Sequence, residues 1–348
     1  MEIRDKISYD NKLVHGLHSC FIWNKSKSVK KYTYSKLFST ITSLKLPLNL
    51  NKGKESSEIN PWFITGFIDA EGCFSIRVRK TKKTLIGWQV EAVFSICLHS
   101  RDLPLLEEIK TYFGGIGRIS KGKNCAYFVS SIEDITTIII PHLVKYPLIT
   151  KKQGDFLLFK SSVEMVKAKK HLTMEGLQNI VSNKASINFG LTDELKAAFP
   201  NTIPALKSLA VNTKIPHSYW MAGFISGDGC FAVTEYKSSS RINVRLVFSI
   251  SQHSKDKSLI RNMVDFFGCG SYIPSSLNRT TVSFQCYTFS GNYEKIIPFF
   301  RVYNIKGEKS KDFDDWCKIA EIIKTKDHLT KKGFDLICQI KSGMNKGR

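Results

Sequence analysis

Residues 62–74, WFITGFIDAEGCF, and residues 219–231, YWMAGFISGDGCF, are two versions of one segment, set 157 positions apart. At a spacing of 154, VFSI at 93–96 returns at 247–250, His99 returns as His253, Asp102 as Asp256, and Phe113-Gly114 as Phe267-Gly268. The spacing reverts to 157 for Ile140-Pro141 with Ile297-Pro298, Lys152 with Lys309, and His171-Leu172-Thr173 with His328-Leu329-Thr330. Only a duplicated domain accounts for this economically, and 348 residues have room for two cores of ordinary size.

Both copies carry the same order of signals. An apolar segment ending at Gly72 or Gly229 predicts a helix. Alternation follows, through Phe74, Ile76 and Val78 in copy one and Val244, Leu246, Phe248 and Ile250 in copy two, and predicts half-buried strands. Then come a helix from Asp102 or Asp256, a Gly-rich turn (114–117, 268–270), two shorter strands and further helices. The expectation is an α+β fold with antiparallel sheets. Its boundaries are a first domain at 58–187, a linker at 188–217 containing Pro200, Pro204 and Pro216, and a second domain at 218–348. Residues 1–57 lie outside the repeat and read as a loosely ordered basic arm; Glu2, Asp5 and Asp10 make them a poor match to a transit peptide.

Charge narrows the partner. Lys plus Arg number 52 against 30 Asp plus Glu, a net charge of +22, of which residues 1–60 hold only +6. The body of the chain is therefore basic, which favours a polyanion, nucleic acid before membrane. A hydrophobic share of 42% and a charged share of 24% exclude a mainly disordered chain. No apolar run reaches the roughly 18 residues of a membrane helix. The nine Cys form no C-x-x-C pair, which argues against a disulfide scaffold and a zinc ribbon and for a reducing compartment.

The duplicated helix is odd in two ways. Gly66 with Ala70, and Gly223 with Gly227, share one face at i, i+4, although helix-interior Gly costs about 0.5–1 kcal/mol. Such faces suit two helices packed on each other at short range about a pseudo-twofold axis. Second, Glu71 and Asp228 stand at the helix C-terminus, where the macrodipole disfavours negative charge. If the helices meet, the two carboxylates converge, and a divalent cation between them relieves the repulsion. Hard Mg²⁺ accepts carboxylate and carbonyl oxygens, so the end carbonyls of Ala70 and Gly227 join Glu71 and Asp228 as candidate metal ligands.

ITGFIDAEG at 64–72 and MAGFISGDG at 221–229 resemble two copies of the motif that names the LAGLIDADG homing endonucleases, in the single-chain form of fungal mitochondrial introns. The resemblance covers residues 58–348. It implies two pseudo-twofold-related domains, each an antiparallel sheet saddle packed under helices and joined by the motif helices. The implied activity is site-specific hydrolysis of both strands of duplex DNA at a long asymmetric target, by a mitochondrial monomer that promotes mobility of its host intron. Mg²⁺ or Mn²⁺ would support it, and Ca²⁺ would bind without supporting cleavage. The eighth motif position falls on Glu71 and Asp228. Lys152 and Lys309 resemble the family's basic residues near the scissile phosphates. Gln252 could order solvent, with Leu98 as its unlike counterpart. Copy two departs from the pattern with Ser226 where copy one has Asp69.

With Phe74, Ile76 and Val78 inward, period two turns Cys73, Ser75, Arg77 and Arg79 outward, followed on the next strand by Gln89, Glu91, Val93, Ser95 and Cys97. In copy two the outward set is Cys230, Ala232, Thr234 and Tyr236, then Asn243, Arg245, Val247, Ser249 and Ser251. This mixture suits base-edge recognition in a major groove, while Lys80, Lys82, Lys83 and Lys237 at the hairpin tips suit phosphate. The phase of the short strands near Tyr127 and Gln285 is open. His99 and His253 read as structural. The competing reading is an RNA maturase acting on a group I intron; a non-cleaving DNA-binding protein is a third.

Overall fold

In the computed structural model, residues 59–208, 214–238, 241–275 and 280–345 are described; the expected arm at 1–57 lies outside them. The first repeat opens with Asn60, whose side chain accepts from Trp62 N, and with Pro61 at the first helical position, which together start α1 (Pro61–Glu71). His217 caps α8 (Ser218–Asp228) in the same way, accepting from Tyr219 N at 3.1 Å. Gly72 and Gly229 end these helices in extended backbone, at φ −68° and −71°, and not in a left-handed cap. Space is the reason for glycine: a Cβ would lie 2.7 Å from the carbonyl oxygen of Ile68 or Ile225.

In half one the chain continues through β1 (Gly72–Lys80), β2 (Trp88–His99), α2 (Leu103–Tyr112), β3 (Arg118–Ser120) and β4 (Asn124–Val129). Helices α3 (Ile132–Asp134) and α4 (Ile140–Lys145) follow, joined by a π-helical turn at Ile135–Ile139, and then α5 (Lys152–Lys167) and α6 (Met174–Ser186). After α7 (Asp193–Ala198) and α8, half two repeats the order with β5 (Gly229–Ser238), β6 (Arg241–His253), α9 (Lys257–Phe267), β7 (Ser271–Ile273) and β8 (Thr281–Cys286). It closes with α10 (Ile297–Val302), α11 (Glu308–Lys324) and α12 (Lys331–Ser342). The sheets run β1-β2-β4-β3 and β5-β6-β8-β7, each fully antiparallel.

Strand alternation sets the layers. Phe74, Ile76 and Val78 face the helices with Phe94 and Ile96 beside them, and Phe231, Val233, Leu246, Phe248 and Ile250 do the same in half two. Two cores result, meeting where α1 packs along α8: Ala222 joins the first core and Ile149 the second. The small face is mutual packing. A Cβ on Gly66 would stand 1.9 Å from Trp220 O, and one on Gly223 2.0 Å from Phe63 O, so only glycine lets these backbones touch.

Two expectations need correction. Val93 and Val247, assigned outward, are buried despite their phase, each paired only with the first strand of its sheet, opposite Ser75 or Ala232. The stretch 188–217 is more than a linker. It carries α7, buries Leu195 and Phe199 in the first core, and sets Phe199 5.1 Å from the Trp88 ring. Its first residue belongs to the repeat: Asn188 and Asn345, 157 apart and both left-handed, donate to Phe74 O and Phe231 O. Among the described residues no helix is long and apolar enough to cross a membrane.

Candidate active site at the helix interface

Because α1 and α8 touch through glycine, their C-terminal ends arrive together. A Cβ on Gly227 would lie 2.4 Å from Ala70 Cβ and 3.4 Å from Glu71 Oε1, which puts the Glu71 carboxylate against the end of the opposite motif helix. Burial, and after it the charge of Asp228, push the Glu71 carboxyl above the ordinary range; Lys309 and Lys152 oppose the shift. Burial likewise raises Asp228, and the 2.6 Å hydrogen bond donated by Gln252 Nε2 opposes it. Gln252, expected only to order solvent, thus braces one acid, while Leu98 offers Glu71 no such bond.

The two lysines reach the same place from below. Lys152 Nζ donates to Ala70 O at 2.9 Å and to Ile68 O at 3.1 Å, and Lys309 Nζ donates to Gly227 O. The end carbonyls of Ala70 and Gly227, expected as metal ligands, thus each accept from an ammonium here, and with two lone pairs each oxygen keeps a second acceptor position. Burial lowers both lysine pKa values, against the pull of the surrounding acids. Two carboxylates, two ammoniums and one amide converge here. Among the described residues no group of three or more His, Cys, Asp or Glu side chains forms a metal cluster. The donor set fits a hard divalent ion nonetheless, since such ions take one or two carboxylates and complete their shell with water and phosphate oxygens, and the helix ends already attract cations.

The sixth motif position holds the loop that leads into each lysine helix. Asp69, buried, accepts from Ile149 N, Thr150 N, Thr150 Oγ1 and, across the interface, Trp220 Nε1, at 2.7–3.3 Å. Burial pushes its carboxyl up to about 6, and these donors with Lys152 resist. Ser226 does less: its Oγ accepts from Lys306 N at 3.1 Å and donates to Ala222 O.

Of the outward residues, cross-strand pairs put Cys73 beside Ser95, Arg77 beside Glu91 and Arg79 beside Gln89 on one face, and Cys230 beside Ser249, Thr234 beside Arg245 and Tyr236 beside Asn243 on the other. Arg79, Lys83, Gln89, Cys97, Tyr236, Arg245 and Ser251 are exposed; Cys73, Ser75, Arg77, Glu91, Ser95, Cys230, Ala232, Thr234, Asn243 and Ser249 are half-buried. Sequence phase missed the contributions of the short strands. Ser283 bonds Ser251 at 2.7 Å, Tyr287 donates to Gln285, and the Arg118 guanidinium lies 5.7 Å from the Phe128 ring. Arg245 lies 5.2 Å from the Tyr236 ring and 4.7 Å from that of Tyr287. The alternation of Val282, Phe284 and Cys286 was the available signal for this phase.

The profile of the LAGLIDADG endonuclease family matches residues 64–163 and again 221–320. Two proteins of Neurospora crassa, probable intron-encoded endonucleases 2 and 3, are 40% and 37% identical over 82% and 90% of this chain. The match spans 65% and 58% of those relatives' own lengths. Among solved structures, the homing endonuclease I-SmaMI bound to cleaved DNA is 46% identical, covering 84% of this chain and 98% of its own, with a TM-score of 0.81. I-SmaMI bound to uncleaved DNA in the presence of calcium ions has a TM-score of 0.80, with 46% identity and coverage of 83% and 100%.

Proposed function

The chain belongs to the LAGLIDADG endonuclease family, and from that premise we propose that it is a site-specific homing endonuclease that hydrolyses both strands of a long, asymmetric DNA duplex. The observation that carries the reading is the convergence of Glu71 and Asp228 at two helix ends that touch through Gly66 and Gly223. Glu71 and Asp228 would hold the divalent ion, Mg²⁺ or Mn²⁺, which supplies activated water and charge neutralisation at the phosphodiester. Lys152 and Lys309 present half-buried ammoniums to the phosphates being cut, and Gln252 orients Asp228. The sheet faces, with Arg77, Arg79, Gln89, Asn243 and Arg245 among them, read base edges, and Lys83 meets phosphate. The DNA-bound state of I-SmaMI supports this assignment, and its calcium-containing complex supports a divalent ion.

The described body divides in this reading into DNA-binding halves at 58–187 and 218–348 bridged by 188–217, and one chain suffices as a monomer. An intron origin is supported by relatives named for introns, including one in ND4 intron 1 of Podospora anserina, and the same relatives support a mitochondrial setting. Acids at both eighth positions and relatives named as endonucleases favour cleavage over the maturase reading on group I intron RNA. The test is incubation of the purified chain with a random duplex library in Mg²⁺, Mn²⁺, Ca²⁺ or EDTA. Recovery of one cut site with Mg²⁺ or Mn²⁺, and binding without cutting in Ca²⁺, is expected. Absence of any cut site, or cutting undiminished by EDTA, overturns the proposal.

A further inference from the structure

The repeat preserves a pair that the active site does not use, His99 with Asp102 and His253 with Asp256. In each half the histidine Nδ1 accepts from the amide two residues on, Arg101 at 3.3 Å or Lys255 at 3.1 Å, and so shapes a 3₁₀ turn that ends on the aspartate. That aspartate occupies the N-cap position of its own helix, α2 or α9, where Asp ordinarily caps, yet it makes no capping bond there. Its side chain instead crosses the interface. Asp102 Oδ1 accepts from Glu308 N at 2.7 Å, and Asp256 Oδ1 accepts from Lys151 N at 2.7 Å.

The recipients are the residues immediately before Lys309 and Lys152. The N-cap residues of α5 and α11, Lys151 and Gly307, supply no capping side chain of their own. Each lysine helix is thus capped by an acid from the opposite half, in a position that the helix dipole also favours. Gly307, left-handed at φ 74°, makes room for this: a Cβ there would stand 2.5 Å from Asp102 Oδ1.

We infer that Asp102 and Asp256 are positioning residues that seat the active-site lysine of the opposite half, Lys309 and Lys152 respectively, so that each half completes the strand-cutting geometry of the other. The inference rests on the proposed function, in which two lysine-bearing half-sites cut the two strands. It differs from a general structural role in being strand-selective.

The test uses the full chain and the duplex recovered from the random library, its two strands carrying different end labels, with strand rates followed on denaturing gels. Asp256→Ala should slow one strand roughly 10- to 100-fold, the range that a misplaced catalytic group carries, and Asp102→Ala the other strand, leaving nicked intermediates of opposite polarity. Asp→Asn retains an acceptor oxygen and should restore most of each loss. Gly307→Ala, which displaces Asp102, should slow the same strand as Asp102→Ala and keeps the test alive if that variant does not fold. Equal slowing of both strands by every folded variant overturns the inference, as does slowing of the same strand by Asp102→Ala and Asp256→Ala. A wild-type chain that cuts no duplex instead overturns the proposed function.

Discussion

The two halves share a backbone plan but differ in how they hold the same elements. Half one does it with polar groups. His142, on α4, bonds Thr65 Oγ1 of α1 and Tyr112 OH of α2, both at 3.1 Å. The repeat puts Ala222, Phe266 and Phe299 at the corresponding places of half two, where the two Phe rings pack edge-on at 5.4 Å. The sixth motif position repeats the contrast: Asp69 gathers four donors, including Trp220 Nε1, whereas Ser226 gathers one amide, and the repeat puts Phe63 in the place of Trp220. Duplicated domains evidently keep backbone geometry while exchanging whole interacting sets. A lone Asp at 226, without an indole opposite it, would be a buried charge short of partners.

The largest effect should come from the acids, where the halves are alike in charge and unlike in support. Glu71→Gln or Asp228→Asn should each reduce double-strand cleavage roughly 10³-fold or more, the loss of several kcal/mol of metal-assisted stabilisation, while affinity for the same duplex stays near wild type. Gln252→Leu, which gives half two the residue of half one, should reduce cleavage by only about tenfold, a typical share for one positioned hydrogen-bonding group. Strand-resolved rates with parallel binding curves check this. Full cleavage by either acid variant would remove both carboxylates from the chemistry.

Next in size is the sixth position. Asp69→Ala leaves four donors without their acceptor and should destabilise by about 3–5 kcal/mol, whereas Ser226→Ala should lose about 1 kcal/mol. Urea denaturation of the two variants measures the difference. Equal losses would mean that the Asp69 network adds nothing beyond what a hydroxyl provides.

The polar set of half one also makes it the acid-sensitive half. Burial lowers the His142 pKa to about 4 from an ordinary 6.5, so between those values the unfolded chain binds a proton that the folded chain refuses. Stability from this group is present above pH 6.5 and is lost as pH falls through 4. Asp69, raised to about 6, acts in the opposite sense, adding stability as pH falls below 6, so the whole-protein profile mixes the two. Copying half two into half one with Thr65→Ala, Tyr112→Phe and His142→Phe isolates the histidine. Relative to wild type, the triple variant should gain about 3 kcal/mol between pH 7 and pH 4. A gap independent of pH would show that His142 titrates in the folded protein as it does in the unfolded chain.

What sequence could and could not reveal follows the same division. Motif helices, acids and most of the strand phase were legible, because each leaves a local mark: a small residue at i, i+4, a charge at the wrong helix end, a period of two; the two lysines stood out only by their matched places in the repeat and the resemblance. The bonds from Asp102 to Glu308 N and from Asp256 to Lys151 N span 206 and 105 residues, and no periodicity encodes them. The lysine partners of the Ala70 and Gly227 carbonyls were illegible for a related reason, since the position of a flexible lysine terminus is set by tertiary packing. The burial of Leu195 and Phe199 was masked by the prolines around them, which read as a linker.

The smallest predicted effect separates the two reading faces. Arg77 lies 3.4 Å from Glu91 on the neighbouring strand, so a guanine competes with a carboxylate already present for its guanidinium. Arg245 has no carboxylate opposite it in register; it faces Thr234 and is flanked by the rings of Tyr236 and Tyr287, which fix its plane without consuming its donors. Cleavage-site profiling of the two alanine variants should therefore differ. Arg245→Ala should relax preference at one base pair of its half-site by about 1–3 kcal/mol, the worth of a bidentate guanine contact. Arg77→Ala should relax its own position by less than about 1 kcal/mol, since the ion pair is half-exposed and weak but must still be broken. Relaxation as large at the Arg77 position as at the Arg245 position would show that Glu91 swings away on binding. A uniform loss across all sites for Arg245→Ala would reassign it from base to phosphate, because a phosphate contact weakens binding without regard to sequence.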